Sequence, residues 1–215
     1  MKTAEPVVHL VDDDPSFLRA TSRLLRASGF AVRTFGSAEE LFSQRDQDAT
    51  GCLVVDLRMR GMDGLQLQAA LARTRNPLTV LFLTGHADIP SSVRAMRGGA
   101  EDFLVKTAPK ASLLDAIRRA LARDVRERAK RAGRREALER IERLTARERE
   151  VFSHVIRGQL NKQIADDLGI TERTVKCHRQ SITTKLGVPS VAELTRLAIE
   201  AGLFTETEPT LPKGQ

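Results

Sequence analysis

The sequence predicts two units of different class: a doubly wound α/β unit on a five-stranded parallel sheet, then a smaller all-α unit. Three observations point there. Up to about residue 120, short apolar runs of strand length alternate with stretches at helical spacing, the pattern of a parallel sheet covered on both faces. Beyond a charged middle segment, every apolar pattern is helical. The charge itself marks the change. The net charge is +7, and the surplus is confined to residues 118–149, where 13 Lys/Arg stand against 6 Asp/Glu.

The strands are read at Val7–Val11, Ala31–Phe35, Cys52–Asp56, Thr79–Thr84 and Asp102–Val105, each a run of buried-strand character. Between the first two, Phe17, Leu18, Thr21, Leu24 and Leu25 fall on one helical face, and Gly29 supplies the stop. The chain has 215 residues and 41% hydrophobic content, enough for one or two ordinary cores. No apolar run approaches the roughly 18–20 residues of a membrane span, and MKTAEPVVHL lacks a secretory apolar region. A cytoplasmic protein without a membrane partner is expected. Cys52 and Cys177 lie far apart, without metal or redox spacing, and read as buried or idle thiols.

Ligands of such sheets bind at the carboxyl ends of the strands. Asp12, Asp13 and Asp14 follow the first strand, Asp56 ends the third, Thr84 ends the fourth and Lys106 follows the fifth. Carboxylates gathered in one crevice repel unless a cation lies among them, and carboxylate oxygens with water suit Mg²⁺. A hydroxyl and an ammonium at the same edge suit a phosphoryl group. Asp14 and Pro15 would start the next helix. The competing reading is a helix-capping cluster without metal.

The stretches "LVDDD", "VVDLRMRGMDG", "LFLTGHAD" and "GGAEDFLVKT", in that order, resemble the response-regulator receiver domain, a flavodoxin-like fold, and "TGHADIP" resembles its FixJ branch. The resemblance implies that Asp56 is the phosphoacceptor. It implies that Asp13, the Asp56 carboxylate and the Arg58 backbone carbonyl bind Mg²⁺, with Asp12 helping through water. It implies that Thr84 and Lys106 hold the phosphoryl oxygens, that Phe103 is the aromatic switch, and that His86 tunes acyl-phosphate lifetime. His9, inside the first strand, is expected at the core or its rim. Two positions depart from the family. Thr107 stands where proline usually follows the lysine, so the Lys106–Thr107 bond is expected to be trans. Arg60 stands where proline is usual and brings a cation to an acidic pocket.

From Lys110 a helix carries Leu113, Leu114, Ile117 and Leu121 on one face. Large apolar residues then cease after Val125, Gly133 interrupts the charges, and Leu138, Ile141 and Leu144 resume the spacing. Residues 122–142 are expected to be a basic, partly helical linker. The basic surplus suggests a nearby polyanion or, equally, a solvated charged helix.

"LTARERE" opens the second unit: Thr145 and Glu148 form a capping box, and Val151, Phe152, Val155 and Ile156 make an apolar face. A short helix with Ile164, Ala165 and Leu168 inward, a turn at Gly169 and a second helix capped by Thr171 make a helix-turn-helix pattern. Val175, Ile182 and Leu186 face its core, while Arg173, Lys176, Arg179 and Lys185 suit a polyanion. Val191, Leu194, Leu197 and Ala198 mark a last helix. "NKQIADDLGITERTVKCH" resembles the LuxR/NarL-type DNA-binding domain. That resemblance implies Lys176, Cys177 and Gln180 near base edges of double-stranded DNA and Thr174, His178 and Lys185 near phosphate.

The expected domains are a receiver over 1–121, the linker over 122–142, a DNA-binding domain over 143–208 and a disordered tail over 209–215. The function implied is a transcriptional regulator of a two-component system, phosphorylated by a sensor histidine kinase and active as a homodimer on promoter half-sites. Val93, Arg97 and Phe103 are the dimerisation candidates, and RNA polymerase is a further candidate partner. No enzyme activity is expected beyond the receiver's own phosphotransfer and dephosphorylation. Two alternatives stand: the same fold with a receiver not gated by phosphate, and a Mg²⁺-dependent phosphohydrolase built on Asp56. Phosphohydrolases of the haloacid dehalogenase type carry a second aspartate two residues on, where this chain has Arg58.

Overall fold

The computed structural model describes residues 6–46, 49–85 and 88–203. His86 and the tail expected over 209–215 lie outside the described residues. The first unit runs β1 (Val7–Val11), α1 (Pro15–Ala27), β2 (Ala31–Phe35), α2 (Ala38–Gln44), β3 (Gly51–Val55), α3 (Gly64–Ala72), β4 (Thr79–Thr84), α4 (Ile89–Arg97), β5 (Asp102–Val105) and the start of α5 (Lys110–Glu142). The sheet has the order β2-β1-β3-β4-β5, and every pairing is parallel. Parallel pairing needs helical crossovers, and these cover both faces. Leu25 of α1 and Leu113 and Ile117 of α5 pack with Leu10, Val54 and Leu81 on one face. Leu41, Leu67, Leu71 and Ala95 pack with Val11, Leu53 and Phe82 on the other.

Two sequence expectations shift. The third strand is Gly51–Val55, one residue earlier than expected, so Asp56 stands just past its end. Gly51 is required there: its φ is +116°, and a Cβ would lie 1.9 Å from the Val7 carbonyl oxygen. All five residues of β3 are buried, whereas β2 and β5, the sheet edges, are only partly covered.

Residues 122–142, expected as a partly helical linker, are helical throughout, and α5 passes Gly133 without a break. A mid-helix glycine costs about 1 kcal/mol relative to alanine, and α5 is anchored on both sides of it. Two compact units divide at Arg128 and Ala129. On the first side, the buried Asp124 accepts from the Gly51 amide (2.9 Å) and from Arg128 Nε (2.9 Å), while Arg128 also donates to the Ala49 carbonyl. On the second side, Ala137 and Ile141 are buried in the other core. Counting only large apolar side chains finds Ile141 but hides Asp124, a carboxylate, and Ala137.

The second unit adds α6 (Ala146–Ile156), α7 (Asn161–Leu168), α8 (Glu172–Leu186) and α9 (Val191–Glu200). Thr145 caps α6 in a capping box with Glu148, and Thr171 caps α8. Gly169 ends α7 in the left-handed conformation (φ +63°), which turns the chain into α8. Val151, Phe152, Val155, Ile164, Val175, Ile182, Leu194 and Leu197 fill the core, and Val191, at the start of α9, is exposed. No helix among the described residues is long and apolar enough to cross a membrane.

Candidate functional site

The three opening aspartates divide their work. Asp14 Oδ1 accepts from the amides of Ser16 (2.8 Å) and Phe17 (3.2 Å), capping α1 with Pro15 as its first residue. These backbone hydrogen bonds, Phe17 first, hold its pKa below the ordinary carboxylate value. Asp12 and Asp13 are left at the carboxyl edge of β1. The parallel register sets Val11 beside Val55, so Asp56 emerges next to them. Oxygens of Asp12, Asp13 and Asp56 all lie within 4.8 Å of one another. Gly64 lets the chain pass close behind: a Cβ there would stand 2.4 Å from the Asp56 carbonyl oxygen.

Lys106 reaches this cluster from beyond β5. Its Nζ lies 2.6 Å from Asp12 Oδ2 and 2.9 Å from Asp56 Oδ2, and 4.3 Å from the centre of the Phe17 ring. Burial favours the neutral amine, but hydrogen bonds and charge from Asp12 and Asp56 more than offset it, so the pKa is raised and the ammonium persists. Asp12 is only 1% exposed. Burial raises its pKa, and Lys106 opposes that rise. One ammonium thus faces three carboxylates. The surplus of negative oxygen ligands suits a hard divalent cation.

The remaining receiver candidates fall around this cluster. The buried Thr84 ends β4, and its carbonyl accepts from the Lys106 amide at 2.7 Å. Phe103 is half-buried and stacks on Phe82, with centroids 5.8 Å apart. The Arg58 amide is 3.5 Å from Asp56 Oδ1, and its guanidinium is 3.8 Å from Asp88 Oδ2. Arg60 brings its amide within 3.2 Å and its Nε within 3.9 Å of Asp13 Oδ2, although its side chain is 97% exposed. Such an exposed pair contributes little to stability. Among the described residues no peptide bond is cis, and the Lys106–Thr107 bond is trans, as expected.

Val93 and Arg97 are exposed on α4. The sequence reading missed their apolar neighbours Ile89, Met96 and Val105, which are also exposed. Ile89, Val93 and Met96 are spaced by four and three residues, a signal present in the sequence.

On α8, Val175, Ile182 and Leu186 are buried. Arg173, Lys176, Cys177 and Gln180 are exposed, and Thr174, His178 and Arg179 are half-covered. Arg179 Nη1 donates to Asn161 Oδ1 at 3.0 Å. Lys185 is placed differently from the others: its Nζ is 2.7 Å from the carboxylate of Glu148. Two cations of the basic segment also have backbone partners within the second unit. Arg134 Nε donates to the Ala201 carbonyl (3.3 Å), and Arg140 donates to the Leu186 carbonyl. Cys52 is buried, and burial pushes its thiol up to about 12, so it is inert. Cys177 is an exposed free thiol.

Residues 8–118 match the response regulator receiver domain family. Residues 142–198 match the bacterial regulatory proteins of the luxR family. The chain is 39% identical to nodulation protein W of Bradyrhizobium diazoefficiens over 201 residues, covering 94% of this chain and 88% of that protein. It is 37% identical to the transcriptional regulatory protein FixJ of Azorhizobium caulinodans over 203 residues, covering 94% of this chain and 96% of that one. The solved structure of the response regulator StyR matches with a TM-score of 0.75 and 43% identity, over 92% of this chain and all of that one. The carboxyl-edge acidic cluster with its lysine, the helix-turn-helix and these full-length matches lead to one conclusion: the chain belongs to the two-component response regulators that carry a LuxR-type DNA-binding domain.

Proposed function

We propose that Asp56 accepts a phosphoryl group from a sensor histidine kinase and that this phosphorylation drives dimerisation and DNA binding. The observation that carries the reading is the excess of carboxylate over ammonium at the carboxyl edge of the sheet. An Asp56 carboxylate oxygen attacks the phosphorus of a phosphohistidine. The P–N bond breaks, the imidazole leaves and an acyl phosphate forms. The Lys106 ammonium sits where it neutralises the transferring oxygens. Asp13, Asp56 and the Arg58 carbonyl would hold Mg²⁺, with Asp12 through water. The ion would supply charge neutralisation between the carboxylates and the phosphoryl group. Thr84 binds a phosphoryl oxygen as Phe103 rotates.

The exposed α4–β5 side, with Ile89, Val93, Met96, Arg97 and Val105, forms the homodimer surface. Dimerisation places two α8 helices on two half-sites of a promoter in the cytoplasm. Lys176, Cys177 and Gln180 face base edges, Thr174 and His178 lie nearer the phosphates, and Arg173 and Arg179 are further cations of the same helix.

Incubation with a small acyl-phosphate donor, followed by intact mass, tests the receiver. One added phosphoryl group is expected, dependent on Mg²⁺ and absent in Asp56→Asn. A gain that persists in that variant refutes the acceptor. A chain that binds DNA fully without any gain has a receiver not gated by phosphate. For DNA, Lys176→Ala should cost about 1–3 kcal/mol on the specific site and relax preference at one position.

A further inference from the structure

Lys185 was expected near phosphate, but its surroundings give it another occupation. Glu148 lies in the first turn of α6, and its side chain is only 6% exposed. Its carboxylate accepts from three donors: Lys185 Nζ at 2.7 Å, Ser181 Oγ at 2.6 Å and the Thr145 amide at 2.8 Å. Ser181 and Lys185 are four residues apart on α8 and so share one of its sides. Nine residues separate Lys176 from Lys185, and at roughly 100° per residue the two point to opposite sides of the helix. The Leu186 carbonyl, at the end of α8, accepts from Arg140 of α5. The C-terminal half of α8 is therefore tied to α6 and to α5 by charged donors and acceptors.

We propose that Lys185 is a positioning residue: with Ser181 it locks onto the buried Glu148 carboxylate and fixes α8 against α6, and it makes no phosphate contact. The proposal rests on the reading of α8 as the DNA-recognition helix. A lysine neutralised by its own domain displaces no counterion on binding, so it adds nothing to the salt dependence. What it contributes is the pitch of the helix, which the base-facing residues Lys176 and Gln180 need.

The full chain would first select its own duplex from a random-sequence library. Affinity for that duplex and for an unselected one is then measured across a salt series, below the melting temperature of every variant. Lys185→Met and Glu148→Gln are each expected to weaken selected-duplex binding about tenfold. They should lower the selected-to-unselected ratio, leave the salt slope unchanged, and be no worse together than apart. A merely structural pair would lower the melting temperature and leave that ratio intact, which overturns the proposal. So does a slope reduced by about one unit in Lys185→Met with binding kept or tightened in Glu148→Gln, the outcome for a phosphate contact. Should either variant fail to fold, Ser181→Ala carries the test: a lower ratio at unchanged slope supports the lock, and an unchanged ratio removes it. Lys176→Ala is the control. If it changes neither affinity nor slope, the recognition-helix reading itself falls, whatever Lys185 does.

Discussion

Each unit of this protein sets a lysine against a carboxylate with little exposure, and the two pairs are built to opposite ends. In the receiver, Lys106 is shared by Asp12 and Asp56 while Asp13 stands 32% exposed beside them, so negative charge is in excess. In the DNA-binding unit, the Glu148 carboxylate has a lysine, a hydroxyl and a backbone amide to itself. Its pKa is lowered to about 2, first by the Lys185 hydrogen bond and then by Ser181 and the Thr145 amide. Charge left unsatisfied at an accessible edge is a place for chemistry, because a cation or phosphoryl group completes it. Charge fully satisfied below the surface is structure. The residue types alone do not separate the two cases; the count of donors does.

The largest expected effect concerns a second buried carboxylate, this one in the receiver. Asp124, 2% exposed, ties α5 to the start of β3 through Gly51 and Arg128. Asp124→Ala removes one partner of this bond set and should cost about 3 kcal/mol. Hydrogen exchange is the readout: amides of β3 and of residues 122–128 should lose protection together. If those of 122–128 alone are affected, Asp124 tethers the helix without supporting the sheet.

Acid should separate the two units next. His9 is 1% exposed in β1 and stacks on Phe35. Burial pushes its pKa down to about 4, the Arg33 and Arg45 charges act in the same direction, and the Thr50 backbone opposes them. A histidine with a depressed folded-state pKa takes its proton more readily when unfolded. Its contribution is therefore full above about 6.5 and lost as pH falls through 4, roughly 3 kcal/mol in all. Glu148 is a depressed carboxylate. Its contribution is full above about 4.5 and lost as pH falls through 2. Calorimetry over pH 7–3 should show the receiver weakening first, with His9→Phe flattening that limb. Should the DNA-binding unit melt first between pH 6.5 and 4.5, the assignment of these windows is wrong.

The smallest effect has the opposite sign. Asp13→Asn removes one of three crowded carboxylates and should stabilise the receiver by about 0.5–1 kcal/mol in urea, while weakening its response to Mg²⁺. Destabilisation instead would mean that the Arg60–Asp13 contact outweighs the repulsion. That result would erase the contrast with Glu148.

The motifs made most of the receiver legible. The carboxyl-edge rule placed Asp12, Asp13, Asp56, Thr84 and Lys106 together from strand ends alone, because a parallel sheet delivers every strand end to the same edge. The helix-turn-helix was legible from Gly169, Thr171 and the inward Val175, Ile182 and Leu186. Lys185 was legible only as a cation. It follows three other cations on one helix, and only the position of α6 reveals the carboxylate that holds it. On α4, Ile89 and Met96 extend the exposed stripe on either side of Val93, at a spacing of four and three that the sequence carries.

The two fold classes, the strand and helix order, the caps at Asp14, Thr145 and Thr171, and the edge at which the acidic residues meet are all written in the order of the residues. These follow from local periodicity and from φ-restricted or capping residues, which act within a few positions of themselves. Packing alone reveals that 122–142 is one helix divided between two cores, that Asp124 is buried against Gly51, and that Arg134, Arg140 and Lys185 have intramolecular partners. The reason is physical. A charged side chain looks the same in a sequence whether it faces solvent, a polyanion or a carbonyl. Its partner here lies 46 residues away for Arg140, 67 for Arg134 and 37 for Lys185, and only the packed chain brings them together.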